Sequence, residues 1–130
     1  MDGILGIPDL QVFGYARVDI VGAAPVYGPV AGPLMVRGFD ATVAPVDNGA
    51  GDFTLTFPAD HPVPIDNAIV LVMRRGAAIA SELMSSGHVW PTPNTIRITT
   101  LQEGAAGIVS APTDVPVDVL ILGFQANPPL

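Results

Sequence analysis

Histidine, serine and the carboxylates are the side chains of this sequence that could do chemistry, and they are sparse. His61 and His88 are the only two histidines in 130 residues, and there is no cysteine. A protein zinc site takes three or four ligands, usually in paired spacings. His61 stands between prolines and His88 opens a short apolar run, with no second histidine at ligand spacing, so neither is assigned a ligand role. Asp47, Asp52, Asp60 and Asp66 raise calcium instead. A calcium loop needs oxygen ligands at alternate positions. Gly49 and Gly51 fill those positions after Asp47, which makes the aspartates turn formers. Ser85, Ser86 and His88 could be joined to an aspartate as a hydrolytic triad, which would need Ser86 or His88 in a cleft. Neither serine sits in a nucleophile elbow. Glu82 and Glu103, the only glutamates, fall in expected loops rather than as a carboxylate pair set apart for acid–base work. No glycine-rich phosphate loop follows a strand and opens a helix. The sequence thus predicts no enzyme, no catalytic residue, no metal and no cofactor.

Two further groups suit contact rather than catalysis. Arg74-Arg75 follows the longest apolar run, and a guanidinium pair could clamp a carboxylate of a neighbouring subunit. The plainer alternative is that the arginines carry a buried strand out to water. Trp90, Tyr15 and Tyr27 could stack a sugar ring, although aromatics this scattered commonly serve packing.

The elements that must position these residues are strands. Ala68 to Met73 reads Ala-Ile-Val-Leu-Val-Met, between Asp66-Asn67 and Arg74-Arg75-Gly76. A short, β-branched apolar run between polar brackets predicts a central strand buried on both faces. Phe53, Leu55 and Phe57 alternate with Thr54 and Thr56, and Ile96 and Ile98 alternate with Thr95, Arg97 and Thr99. Val115, Val117, Val119 and Ile121 form one face of a last strand reaching Phe124, whose second half, with Leu120 and Leu122, is apolar on both faces. From Gln11 to Val21, Val12, Gly14, Ala16, Val18 and Ile20 are expected on one face and Phe13, Tyr15, Arg17 and Asp19 on the other. Gly22 to Pro33 is a loop or an edge, since proline cannot donate to a ladder. Leu34 to Val46 is strand-like with a bulge expected at Gly38, and Asp47 to Asp52 is expected to turn a hairpin, with Asn48-Gly49 supplying two residues that tolerate positive φ. Residues 77–85 carry helix formers and predict one short helix, with a β-excursion as the alternative. Met1 to Leu10 is either an apolar N-terminal arm or an irregular first strand, and residues 125–130 form an extended C-terminal tail. The expectation is an all-β fold: one domain over residues 1–130, an antiparallel β-sandwich or jelly roll of about seven strands.

Composition bears on partners. Hydrophobic residues make up 49% and charged residues 13%, with net charge −7 and mean hydropathy +0.50. Ordinary domains carry about 25% charged residues. This chain is short of groups with which to cover a monomer, so subunit association is expected. All five basic residues are arginines, scattered along the chain, which argues against nucleic acid. No apolar run is long enough for a membrane-spanning helix, and no membrane partner is expected.

Gly51-Asp-Phe-Thr-Leu-Thr-Phe-Pro58, Asn67-Ala-Ile-Val-Leu-Val72, Thr95-Ile-Arg-Ile-Thr99 and Val117-Asp-Val-Leu-Ile-Leu-Gly-Phe124 follow one another in an order that resembles small β-sandwich subunits of tailed-phage particles, in head decoration and fibre proteins, and more distantly C1q-like jelly rolls. The resemblance spans roughly residues 50–124, is one of strands and turns, and carries over no functional residue. It implies a homo-oligomer, with a trimer favoured, that covers a capsid lattice or builds a fibre. The expectation is a non-enzymatic virion structural protein, a capsid decoration or cement subunit made in the host cytoplasm. Its partners would be itself and virion proteins such as a major capsid protein. Ile4, Leu5, Ile7, Arg74 and Arg75 are the candidate inter-subunit contacts. The alternative is a receptor- or carbohydrate-binding module of a tail fibre or surface adhesin.

Overall fold

The computed structural model describes residues 10–60, 63, 65–75, 84–103 and 110–124. Apart from a single 3-10 turn at Ile65–Asn67, the regular elements there are strands: β1 (Leu10–Val21), β2 (Ala24–Tyr27), β3 (Val36–Arg37), β4 (Val46–Gly49), β5 (Asp52–Thr56), β6 (Ile69–Arg74), β7 (Met84–Thr92), β8 (Thr95–Glu103), β9 (Ser110–Pro112) and β10 (Val117–Phe124). They form two antiparallel five-stranded sheets. Sheet A runs β2-β1-β10-β6 with β3 also on β1; sheet B runs β4-β5-β8-β7 with β9 also on β8. The all-β sandwich expected from the sequence is the fold.

The core lies between the sheets. Ala16, Val18, Val117, Val119 and Ile121 from sheet A meet Phe53, Leu55, Phe57, Ile96 and Ile98 from sheet B, all buried. Strict alternation along β5, β8 and β10 makes this possible, because successive side chains of a strand point to opposite faces. Phe57 stacks on Phe39, ring centroids 4.2 Å apart, and on Trp90 at 6.1 Å. Tyr27 caps one edge. Its buried hydroxyl has no hydrogen-bond partner, and burial, with the charge of Asp40, pushes its pKa up to about 12.

Several expectations are corrected. Ala68–Met73 is not the central strand. β6 is the edge of sheet A, with Ile69, Leu71 and Met73 exposed and Val70 and Val72 packed on the core. Its run is apolar on both faces because the sheet's outer face is apolar, and β1 and β10 take the middle. In β1 the register slips between Val12 and Gly14. The extra residue turns Phe13 toward the core and Val12 outward, 62% exposed, reversing the expected alternation at that end. The stretch Leu34–Val46 is a strand only at its two ends. Gly38 makes no bulge within a ladder; at φ +78° a Cβ there would lie 2.1 Å from the Phe13 carbonyl oxygen. The hairpin turns through Ala50-Gly51, with Asn48 in β4, and the positive φ angles belong to Gly49 and Gly51. Residues 77–83 lie outside the described residues. Met84 and Ser85 open β7, so the expected helix does not reach residue 85. β7 runs through Pro91 to Thr92, which an edge strand tolerates. Gly22–Pro33 does supply an edge, β2, on β1. Among the described residues the strands number ten where about seven were expected; β2, β3 and β9 are too short to show a period.

Candidate functional site

The two outer faces of the sandwich differ in chemistry. The register of sheet B brings Asp52 beside Thr99, Thr54 beside Arg97 and Thr56 beside Thr95. These outward rows carry threonines around one ion pair, with Arg97 Nε donating to Asp52 Oδ1 at 2.9 Å, and the exposed valines Val46 on β4 and Val89 on β7 flank Thr54 and Arg97. That bond, and less so one from Asn48, holds the Asp52 carboxyl below its ordinary pKa. A depressed folded-state value stabilises the fold above the unfolded value and stops doing so as pH falls through the folded one. Arg97→Gln should therefore move the Asp52 titration midpoint upward, toward the ordinary carboxylate value. Side-chain carboxyl NMR shifts measure this, and an unmoved midpoint would refute the assignment.

Sheet A's outer face is built differently, in rows set by register across β1, β10 and β6. One row is Val12, Leu122 and Ile69; the next is Tyr15, Leu120 and Leu71. Met73 continues the apolar patch beside Asp118. Past it the face becomes ionic. Arg75 donates to the Val18 carbonyl at 3.0 Å and pairs with Asp19, and its Nε lies 2.9 Å from Asp118 Oδ1, outside hydrogen-bond alignment. Arg17 Nε approaches the same Asp118 oxygen at 3.4 Å. Two arginines and two aspartates thus neutralise each other at one end of the face. Arg37, exposed on β3 opposite Tyr15, adds a further positive charge.

No protein-family model, curated protein or solved structure matches the chain. Function therefore has to be argued from this chain's own residues.

The candidate residues fall as follows. Ile4, Leu5, Ile7 and His61 lie outside the described residues. Arg75 is engaged by carboxylates of its own chain, while Arg74 is half-buried, beside Val117 in the ladder. Ser85, Ser86 and His88 are exposed on β7; His88 meets Trp90 edge-on at 6.4 Å. The fold brings neither serine nor any aspartate to His88 by a hydrogen bond among the described residues. The aspartates serve turns: Asp47 accepts the Gly49 N–H at 3.0 Å, and Asp40 accepts the Thr42 hydroxyl at 2.6 Å and the Thr42 N–H at 3.0 Å, which together keep its carboxyl low. Asp114 accepts the Gly51 N–H at 2.8 Å. Among the described residues no three histidine or carboxylate groups converge as a metal site, and no helix is long and apolar enough to cross a membrane. The sequence reading missed the outer face of sheet A. Its signal was present: β6 is apolar from Ile69 to Met73 and the second half of β10 holds no polar side chain, whereas β5 and β8 alternate apolar residues with threonine or Arg97.

Proposed function

We propose that this chain is a non-enzymatic structural subunit of a virion, a capsid decoration or cement protein that associates through the outer face of sheet A. The observation that carries the assembly part is the contrast between faces. Sheet B presents mostly threonines and an ion pair, with Val46 and Val89 isolated at its two sides, while sheet A exposes Ile69, Leu71 and Met73 at 40%, 41% and 43% in a contiguous patch with Leu120 and Leu122. An antiparallel sheet with one face on the core normally keeps its other face polar, and an apolar outer face marks an interaction surface. The virion setting comes from the resemblance of the strand order to phage decoration and fibre subunits. The carbohydrate-binding alternative draws no support from the aromatics: Trp90 packs on Phe57, and Tyr27 is buried.

The test is co-sedimentation with assembled shells of the virus whose genome encodes the chain. Saturable pelleting is expected. Leu71→Lys should weaken it at least tenfold, the scale of losing a buried apolar anchor, while Val89→Lys on sheet B should leave it unchanged. Absence of pelleting, or a coding gene with no capsid or tail genes beside it, would overturn the reading.

A further inference from the structure

We propose that Asn48-Gly49 is a self-modification site: in the folded protein the Gly49 amide nitrogen attacks the Asn48 side-chain carboxamide while Asp47 takes up the proton, and the asparagine becomes aspartate and isoaspartate. The inference goes beyond the assembly reading and stands apart from it, because it needs only the β4–β5 turn. In the step, a bond forms between Gly49 N and Asn48 Cγ, and the bond from Cγ to Nδ2 breaks. Nδ2 leaves as ammonia with the proton that Gly49 N gives up, and a succinimide ring remains. Water then opens the ring at either carbonyl, so neither oxidant nor reductant enters.

The turn suits this chemistry in several ways. Ring closure needs an unhindered nitrogen on the following residue. Asn67 is followed by Ala68 and Asn94 by Thr95, and Asn94 Nδ2 donates to the Phe57 carbonyl at 3.3 Å. Asn48 is followed by glycine, and nothing lies within 4 Å of a would-be Cβ at Gly49. β4 is exposed along its length, and its ladder skips Asn48: Asp47 stands opposite Phe53 and Gly49 opposite Asp52. Asn48 is thus the extra residue of a bulge, where the ladder holds the backbone least. Asp47 Oδ1 accepts the Gly49 N–H at 3.0 Å. That is the proton the attack must remove, and a carboxylate at this distance is within reach to act as general base. The product changes sheet B. Asn48 Nδ2 donates to Thr54 Oγ1 at 2.8 Å and to Asp52 Oδ1 at 3.3 Å. Conversion removes this donor and puts a carboxylate beside Asp52, the partner of Arg97. A like charge so near raises a carboxyl pKa and weakens the ion pair. The loss of ammonia makes the change one-way.

The test is prolonged incubation of the purified chain in mildly alkaline buffer, with peptide mass spectrometry reading each asparagine and an isoaspartate methyltransferase assay reading the rearranged product. Asn48 should convert ahead of Asn67 and Asn94. Asp47→Ser keeps an acceptor for the Gly49 N–H and hence the turn, but supplies no base. It should slow conversion of the folded protein by about tenfold or more, with an unchanged circular dichroism spectrum as the control for folding. In urea, where the turn is gone, the two chains should convert at the same rate. Asn48→Asp, which stands for the product, should move the Asp52 titration midpoint upward in carboxyl NMR. An Asn48 that stays intact in the folded protein while the urea-unfolded chain converts, or equal rates for the folded unmodified and Asp47→Ser chains, would overturn the inference. No virion component is present in these experiments, so they fail independently of the capsid-binding test.

Discussion

Phe57→Ala is expected to cost about 3–5 kcal/mol of folding stability, the usual range for deleting a large buried aromatic. Phe57 is 1% exposed, stacks on Phe39 and Trp90, and lies against the backbone of Gly14. It therefore joins sheet B to β1, where a side chain is missing. A Cβ at Gly14 would lie 2.8 Å from the Phe57 ring. Gly14→Ala alone should cost about 1–3 kcal/mol through overpacking. In the Phe57→Ala background only the Phe39 ring, 3.0 Å from that Cβ, still crowds the methyl, and the cost should fall. Urea denaturation of the four proteins gives the coupling directly, with at least about 1 kcal/mol of non-additivity expected of residues in contact. Additive costs would mean that the core relaxes away from Gly14, and that the tight approach is not what keeps this position glycine.

The second large effect is expected at Gly51. This residue has φ +64°, and a Cβ there would stand 2.4 Å from the Thr100 carbonyl oxygen and 2.6 Å from the Thr113 amide nitrogen. Both neighbours are backbone and are tied by their own bonds: Thr113 N–H donates to the Thr100 carbonyl at 3.1 Å, and Thr100 N–H donates to the Gly51 carbonyl at 2.7 Å. Neither can yield without breaking the junction of the β4–β5 turn, β8 and the approach to β10. Gly51→Ala should destabilise by about 3 kcal/mol or more, combining left-handed strain with the clash. Gly22 supplies the control. Its φ is +58°, and nothing lies within 4 Å of its would-be Cβ. Gly22→Ala should cost only the backbone term, about 1–2 kcal/mol. Equal thermal shifts for the two variants would show that the contacts at Gly51 give way.

These contrasts also explain what could and could not be read in the sequence. β5, β8 and β10 were legible because burial and polarity alternate along them, with Thr54, Thr56 and Arg97 marking the outer side. β6 was legible as a strand and not as an edge. Periodicity reports which faces are apolar, and an apolar outer face looks in sequence like an interior one. The slip at Phe13 left no mark, since Val12 and Phe13 are both apolar and either could face the core. The turn within residues 47–52 was legible, but not its closing at Ala50-Gly51, because the backbone contacts that select Gly51 come from Thr100 and Thr113, distant in the chain. The candidate face was hidden for a related reason. Its rows join residues about fifty and one hundred positions apart, and only the register puts Tyr15, Leu120 and Leu71 side by side.

The pairing of β1 with β10 places the first described strand beside the last, in the middle of sheet A. On a ribosome the two are made about one hundred residues apart. Until Val117–Phe124 emerges, Ala16 and Val18 have no sheet neighbour on that side, and β6 has nothing to pair with in sheet A. Hairpins of sheet B are sequence-local and can form early, whereas sheet A waits for the closing of a very long loop. The nascent chain therefore carries an unclosed hydrophobic surface until β10 emerges. Arrival of that one strand, rather than growth of a native-like intermediate, is what licenses sheet A.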